Sequence, residues 1–326
     1  MSEAPSPQQS RSRPASSHSR DAAPIPLKDR LVDGLAGLVF GILLRVPYEG
    51  RIAATGWVMR RVIGPLSSMP RRIRSNLAHV FPDMPRDEVE RLCREVPDNF
   101  GRSFVEMFSG AEFVRRSVAM PIEGPGYAAM TEARDAGRPM VLVTGHIGNY
   151  DVARAAFLSR GFRVGALYRP MKNRAFNDRY LAAMGTTGEP LFPRSRAGMA
   201  SMVRFLRGGG ALALVIDQYV RSDQVVIDFL GKPAQTSLAA AELALKYDAL
   251  MVPVFVIRQP DGLSFRIQVE APIPHGDPQV MTQAFNDSLA AQIRANKGQW
   301  LWTYPRWRRD RSARSARGSG GGNKPV

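Results

Sequence analysis

The chain has 326 residues, enough for one large domain or two small ones, and 44% of it is apolar, enough to bury a core. It carries 45 Lys and Arg against 29 Asp and Glu, a net charge of +16 that favours anionic partners without saying anything about fold. One cysteine, Cys93, excludes an internal disulfide framework and any multi-cysteine metal site, and four histidines leave little for a histidine zinc site.

Residues 1–27 are rich in Ser, Pro, Ala and Arg, have no apolar signal region, and read as a disordered tail. The next segment, 28–75, reads as membrane-associating helices. Its uncharged run Gly34–Leu44 is too short for the ~20 residues that span a bilayer. Arg51, Arg60, Arg61, Arg71, Arg72 and Arg74 follow with no acid among them, and Trp57 sits between them at what would be headgroup level. This composition suits an anionic membrane surface. A pair of core helices with a solvated basic face fits the same residues.

Pro85–Phe108 predicts a helix with Val89, Leu92, Cys93, Val96, Phe100, Phe104 and Met107 on one apolar stripe, kinked or split at Pro97. Cys93 on that stripe reads as a buried inert thiol. From about residue 120 strands and helices alternate. Met140–Thr144, Val164–Tyr168, Ala211–Ile216 and Met251–Ile257 read as buried strands. Tyr150–Leu158, Asn173–Met184, Ala197–Leu206 and Leu238–Tyr247 read as the helices between them. The pattern predicts an α/β fold, a mostly parallel sheet flanked by helices, over residues 76–305. Phe265–Val269 alternates like an antiparallel edge strand, and Gln279–Asn296 is a last amphipathic helix. Residues 306–326 carry seven cations against Asp310 alone and read as a basic disordered tail.

The segment Val141–Asp151, VLVTGHIGNYD, holds the chemistry. A buried strand ends in a glycine turn carrying His146, and Asp151 opens the following helix, at the strand end where open α/β sheets bind ligands. His146 precedes the helix, so its ring can fold back on Asp151, which would fix the tautomer and make the other nitrogen a general base. The same two residues could simply serve as an N-capping histidine and an acid facing the helix dipole.

Further segments carry a resemblance. His146–Asp151 is similar to the HX4[DE] motif of the lysophospholipid acyltransferase superfamily, and the wider pattern, over roughly residues 32 to 307, resembles its lipid A lauroyl and myristoyl acyltransferase branch. The matching pieces are Asn76–Pro82 (NLAHVFP), Tyr168-Arg169-Pro170 with Asn173, Arg196 with Leu206–Gly209, Asp217-Gln218, Phe229–Thr236 (FLGKPAQT) and Trp300–Arg306 (WLWTYPR). Asp151 stands where that branch has Glu, and Tyr304 where it has His. The aspartate form is common in glycerolipid and glycolipid branches.

The resemblance implies acyl transfer from a thioester to a lipid hydroxyl, with His146 and Asp151 catalytic. It implies substrate contacts from Gly148, Asn149, Arg169, Asn173, Arg196, Asp217, Gln218 and Thr236, the Gly148 and Asn149 amides being oxyanion donors. It implies no metal or cofactor, an acyl-acyl carrier protein or acyl-CoA as co-substrate, and a peripheral or monotopic place on the cytoplasmic face of the inner membrane. The acceptor expected is a lipid A precursor or related glycolipid; a lysophospholipid or aminolipid is the alternative. A non-catalytic basic membrane- or nucleic-acid-binding protein is the reading from another class, but no nucleic-acid motif supports it, and nucleic acid is not expected as a partner.

Overall fold

The computed structural model describes residues 25–219 and 224–307. The predicted tails fall almost wholly outside the described residues. Four helices open the chain: α1 (Leu27–Leu43), α2 (Tyr48–Val58), the short α3 (Gly64–Leu66) after a π-helical turn, and α4 (Met69–Val80). Then come α5 (Arg86–Phe108) and α6 (Gly110–Val118). The alternating part holds β1 (Ile122–Glu123), α7 (Gly126–Asp135), β2 (Met140–Thr144), α8 (Asp151–Ser159), β3 (Val164–Tyr168), α9 (Arg174–Thr187), β4 (Leu191–Pro193), α10 (Arg196–Arg207) and β5 (Ala211–Val215). It continues through β6 (Gln224–Phe229), β7 (Lys232–Ser237), α11 (Ala239–Lys246), β8 (Leu250–Arg258), β9 (Phe265–Val269) and α12 (Pro278–Ala295).

Seven strands form one sheet in the order β1-β9-β8-β2-β5-β3-β4, and β6 and β7 form a separate antiparallel hairpin. Every neighbouring pair in the large sheet is parallel except β8 with β9. The central strands are apolar throughout because both faces are covered. Val141 and Val143 of β2 pack into a core with α4, α5, α11 and α12, while Met140 and Leu142 face a second core with α2, α6 and α8.

Three expectations change. Pro97 does not split α5, which runs unbroken past it with Pro97 buried. β9 is antiparallel as expected but is not the edge strand, because two residues of β1 pair beyond it. Of the six arginines placed against lipid, Arg51 is buried on Glu112 at 2.7 Å, and Arg74 pairs with Glu90 at the same distance. Arg61, Arg71 and Arg72 remain exposed. No helix among the described residues is long and apolar enough to cross a membrane.

A buried ion pair joins α5 to the sheet. Glu106 accepts two bonds from the Arg258 guanidinium, at 2.5 and 2.8 Å, and one from Asn149 Nδ2 at 2.8 Å, and both Glu106 and Arg258 are buried. Removing one partner leaves the other charge buried and uncompensated. Glu106→Ala is therefore expected to lower unfolding free energy by about 3–5 kcal/mol, measured by urea denaturation, with Glu106→Gln less damaging because it can still accept from Asn149.

Candidate active site

β2 ends at Thr144, and the chain must turn from the sheet into α8 within six residues. Gly148 makes the turn possible. Its φ is +58°, and a Cβ there would lie 1.7 Å from the Val256 carbonyl oxygen, so no other residue fits without displacing backbone. The Gly148 amide donates to Gln299 O at 3.2 Å, the Leu301 amide donates to His146 O at 3.0 Å, and Ile147 bridges Trp300. A C-terminal strap, residues 297–307, thus binds the loop like an extra strand.

β2 and β5 are adjacent and parallel, with Thr144 opposite Val215. Two residues further along each strand, His146 stands beside Asp217. His146 Nδ1 lies 2.6 Å from Asp217 Oδ1, and the His146 amide donates to Asp217 Oδ2 at 2.7 Å. Trp300 Nε1 donates to the same Oδ2 at 2.8 Å. Burial pushes the Asp217 carboxyl up, but the electrostatic attraction of the neighbouring imidazole, the two His146 bonds and the Trp300 bond outweigh it and hold the group below the usual aspartate range. An ionised Asp217 places the imidazole proton on Nδ1 and leaves Nε2 with its lone pair. The Gln218 side-chain amide sits 3.1 Å from Nε2 and donates to it.

This corrects the expected pairing of His146 with Asp151. Those two side chains form neither a hydrogen bond nor an ion pair; the Asp151 carboxylate lies 3.3 Å from Arg154 Nε. Asp151 opens α8: its amide donates to Asn149 Oδ1 at 3.2 Å, and its carboxylate lies in the first turn, at the positive end of the helix dipole. It stays in the site all the same, because it lines both cavities described next.

Two cavities meet at His146. The first, ≈ 300 Å³, is a slot between α8 and the sheet, walled by Leu142, Ala153, Phe157, Val164, Ala166 and Val254, with Arg169 and Arg194 exposed at its rim. The second, ≈ 280 Å³, lies between α5 and the loop-plus-strap layer. His146, Tyr150, Asp151 and Tyr180 line both. The Tyr150 ring stands edge-on to the imidazole, with centroids 6.0 Å apart. Burial, with help from Asp151, raises the Tyr150 hydroxyl well above its ordinary value, and the Tyr180 hydroxyl to about 12.

The other expected contacts divide. Arg169 and Gln218 line the first cavity, as expected of substrate-facing groups. Gly148 and Asn149 line the second, but the Gly148 amide is taken by Gln299, so it is no oxyanion donor, and the Asn149 side chain is held by Glu106. Asn173, Arg196 and Thr236 line neither cavity. Asn173 caps α9 by accepting from the Phe176 amide and reaches Asp29 O of α1 at 3.2 Å. Arg196 is exposed at the start of α10, and Arg194 stands at the rim instead. Thr236 is buried and accepts from Arg306, whose guanidinium lies over the Phe229 ring. Sequence reasoning missed Trp300, Tyr150 and Tyr180 as site residues. The tryptophan-rich end of the chain was a usable signal for the first; nothing local marks Tyr180. Among the described residues, no group of His, Cys, Asp and Glu could hold a metal ion.

Residues 32–309 match the family described as bacterial lipid A biosynthesis acyltransferase. The chain belongs to that family. The acyltransferase is also 25% identical over 290 residues to a phosphatidylinositol mannoside acyltransferase of Mycolicibacterium smegmatis (strain ATCC 700084 / mc(2)155), covering 82% of this chain and 95% of that one. It is 25% identical over 248 residues to a protein of the same description from Mycobacterium tuberculosis (strain CDC 1551 / Oshkosh), covering 74% and 78%. Among solved structures it is similar to the 1-acyl-sn-glycerophosphate acyltransferase PlsC of Thermotoga maritima, with a TM-score of 0.34, 11% identity, and coverage of 82% and 99%. The family establishes an enzyme that transfers acyl groups to lipid or glycolipid acceptors.

Two outcomes follow from the Asp217 geometry. Asp217→Asn removes the charge that fixes the imidazole, and turnover is expected to fall about 10²–10⁴-fold with the fold retained, the size of a general-base contribution. Trp300→Phe keeps one aromatic ring but deletes the donor to a buried carboxylate together with the rest of the indole, expected to cost at least about 1.5–3 kcal/mol of stability at pH 7. A depressed carboxyl contributes stability above its unfolded value, about 3.9, and loses it as pH falls through the folded value. The difference between Trp300→Phe and wild type should therefore shrink in acid, which denaturant titrations at pH 7 and pH 3 measure.

Proposed function

We propose that the protein moves a fatty acyl chain from an acyl-acyl carrier protein or acyl-CoA to a hydroxyl of a glycolipid, with His146 as the base. The observation that carries this reading is the Asp217-oriented imidazole at the junction of two largely apolar cavities. The acceptor hydroxyl replaces the Gln218 amide at Nε2, gives up its proton there, and its oxygen attacks the thioester carbonyl. The tetrahedral intermediate expels the thiolate, which takes the proton back from Nε2. The Asn149 amide and Arg169 are the available stabilisers of the transient oxyanion. Arg169 and Arg194 give an anionic donor, coenzyme phosphates or an acidic carrier, a cationic rim beside the first cavity. The mycobacterial relatives, named for an acylated and mannosylated inositol lipid, favour a glycolipid over a lysophospholipid.

The enzyme works from the cytoplasmic face of the inner membrane, attached without spanning it. α1 supports this attachment through Leu27, Leu31, Leu35, Leu38 and Ile42, which recur at helical spacing and are all exposed, between 57% and 70%. Water does not tolerate such a stripe, whereas a bilayer interface does. Its other side is tied down by Asp33 to Arg179 and by Phe40 stacked on Phe108. Trp57, Ile63 and Leu66 are exposed as well, near Arg61, Arg71 and Arg72.

The function is tested by incubating the purified protein with labelled acyl-CoA, or acyl-acyl carrier protein, and vesicles carrying either glycolipid extract or lysophospholipid, with His146→Ala as the control. Label on a glycolipid, lost in the variant, supports the reading; label on lysophospholipid alone overturns the acceptor. Leu35→Asp with Ile42→Asp is expected to cut co-sedimentation with anionic vesicles about tenfold or more, while leaving turnover of a detergent-dispersed acceptor near wild type.

A further inference from the structure

Acyl transfer brings two chain-bearing molecules to one imidazole, and two cavities end there. The second is walled on one side by Val96, Phe100, Phe104 and Met107, a single stripe of α5, and on the other by Met171 and Leu301. It contains no lysine or arginine, whereas the first has Arg169 and Arg194 at its rim. An anionic donor handle thus finds cationic partners only at the first cavity, and in the second the α5 stripe with Met171 and Leu301 offers uncharged wall to a hydrocarbon, Asp151 lying in the seam shared with the first.

The second cavity is also the one connected to α1. Phe104, in its wall, lies 6.0 Å from Phe40 of α1, and Phe40 stacks on Phe108 at 4.1 Å. Phe100 and Phe104 stack at 6.1 Å, and Phe100 is partly exposed. An aromatic ladder therefore runs from the helix with the outward apolar stripe to the cavity wall. At the other end of the cavity the polar seam of Tyr150, Asp151 and Tyr180 separates it from the first.

We propose that the second cavity seats a hydrocarbon chain that the acceptor lipid already carries, leaving the first to the donor. The inference rests on the acyl-transfer reading and divides the two substrates of that reaction between the two cavities.

Photolabelling of the full-length wild-type protein tests the assignment without a variant. A lysophosphatidylinositol with a diazirine at its chain end and a fatty acyl-CoA with the same group are each irradiated with the protein in detergent micelles, and labelled peptides are mapped by mass spectrometry. The lysolipid is expected on the α5 peptide holding Phe100, Phe104 and Met107, and the acyl-CoA on peptides holding Phe157 and Ala166. Acyl-CoA on the α5 peptide, or no lysolipid there, overturns the proposal. Kinetics give an independent reading. Met171→Trp fills the second cavity from a loop outside the catalytic residues and is expected to raise KM for the acylated acceptor about tenfold, the effect of losing about 1.4 kcal/mol, with KM for acyl-CoA unchanged. Ala166→Phe is expected to do the reverse. Equal effects on both substrates, or none, count against the assignment. If wild type neither transfers nor hydrolyses the acyl group of acyl-CoA or of acyl-acyl carrier protein, the acyl-transfer reading itself fails, and the lysolipid labelling pattern still decides whether the cavity takes a chain.

Discussion

The carboxylate of Asp217 holds this site together. It is buried, and it is kept ionised by three hydrogen bonds that come from two separate parts of the chain: the His146 ring and amide, and the Trp300 indole. A buried charge is costly unless it is paired and hydrogen-bonded. Here the partners that make it tolerable are the imidazole to be oriented and the strap that fixes the loop. The electrostatic requirement of the carboxylate and the geometric requirement of the base are met by the same bonds.

That arrangement explains why the C-terminal strap is so heavily packed. Trp300, Trp302 and Arg306 are among the largest fully buried side chains. Asn76 of α4 donates to the carbonyls of Trp302 and Tyr304, and Arg306 reaches Gln235 O and Thr236 of the β6–β7 hairpin. Arg306 is buried deeply enough that desolvation lowers its ionisation to about 10, against the opposing pull of Asp217. Several of the short segments that mark the family therefore meet around the strap rather than around the substrate. Their common purpose is to hold the 145–149 loop against β5.

The cavities follow from the same loop. Gly148 lets the chain approach Val256 closely enough for α8 to lie over the sheet while a slot remains beneath it. On the opposite side of the loop, the Glu106–Arg258 pair anchors Asn149 and sets the distance to α5, which opens the second cavity. α1, with its apolar stripe turned outward, lies against the aromatic residues behind that cavity. Membrane contact, lipid access and the base are thereby arranged in series across α1, α5 and the loop.

The sequence by itself determined the α/β class, most strand and helix limits, and the location of His146 at a strand end. These are local properties: apolar runs of strand length, helical periodicity, and a glycine turn between them. β2, β3 and Phe265–Val269 have the limits that their residues suggest. The sequence did not determine which acid pairs with the imidazole. Asp151 is five residues from His146, and Asp217 is seventy-one residues away. Only the strand order, which inserts β5 between β2 and β3 although two strands and three helices separate it from β2 in the chain, brings Asp217 within 2.6 Å. Nor did it separate motif residues that touch substrate from those that hold the strap, since Asn173 and Thr236 belong to the same kind of segment as Arg169 and Gln218. Proximity in the chain fixes a turn; proximity across a parallel sheet depends on crossover connections and the packing of both faces, which no window of sequence contains.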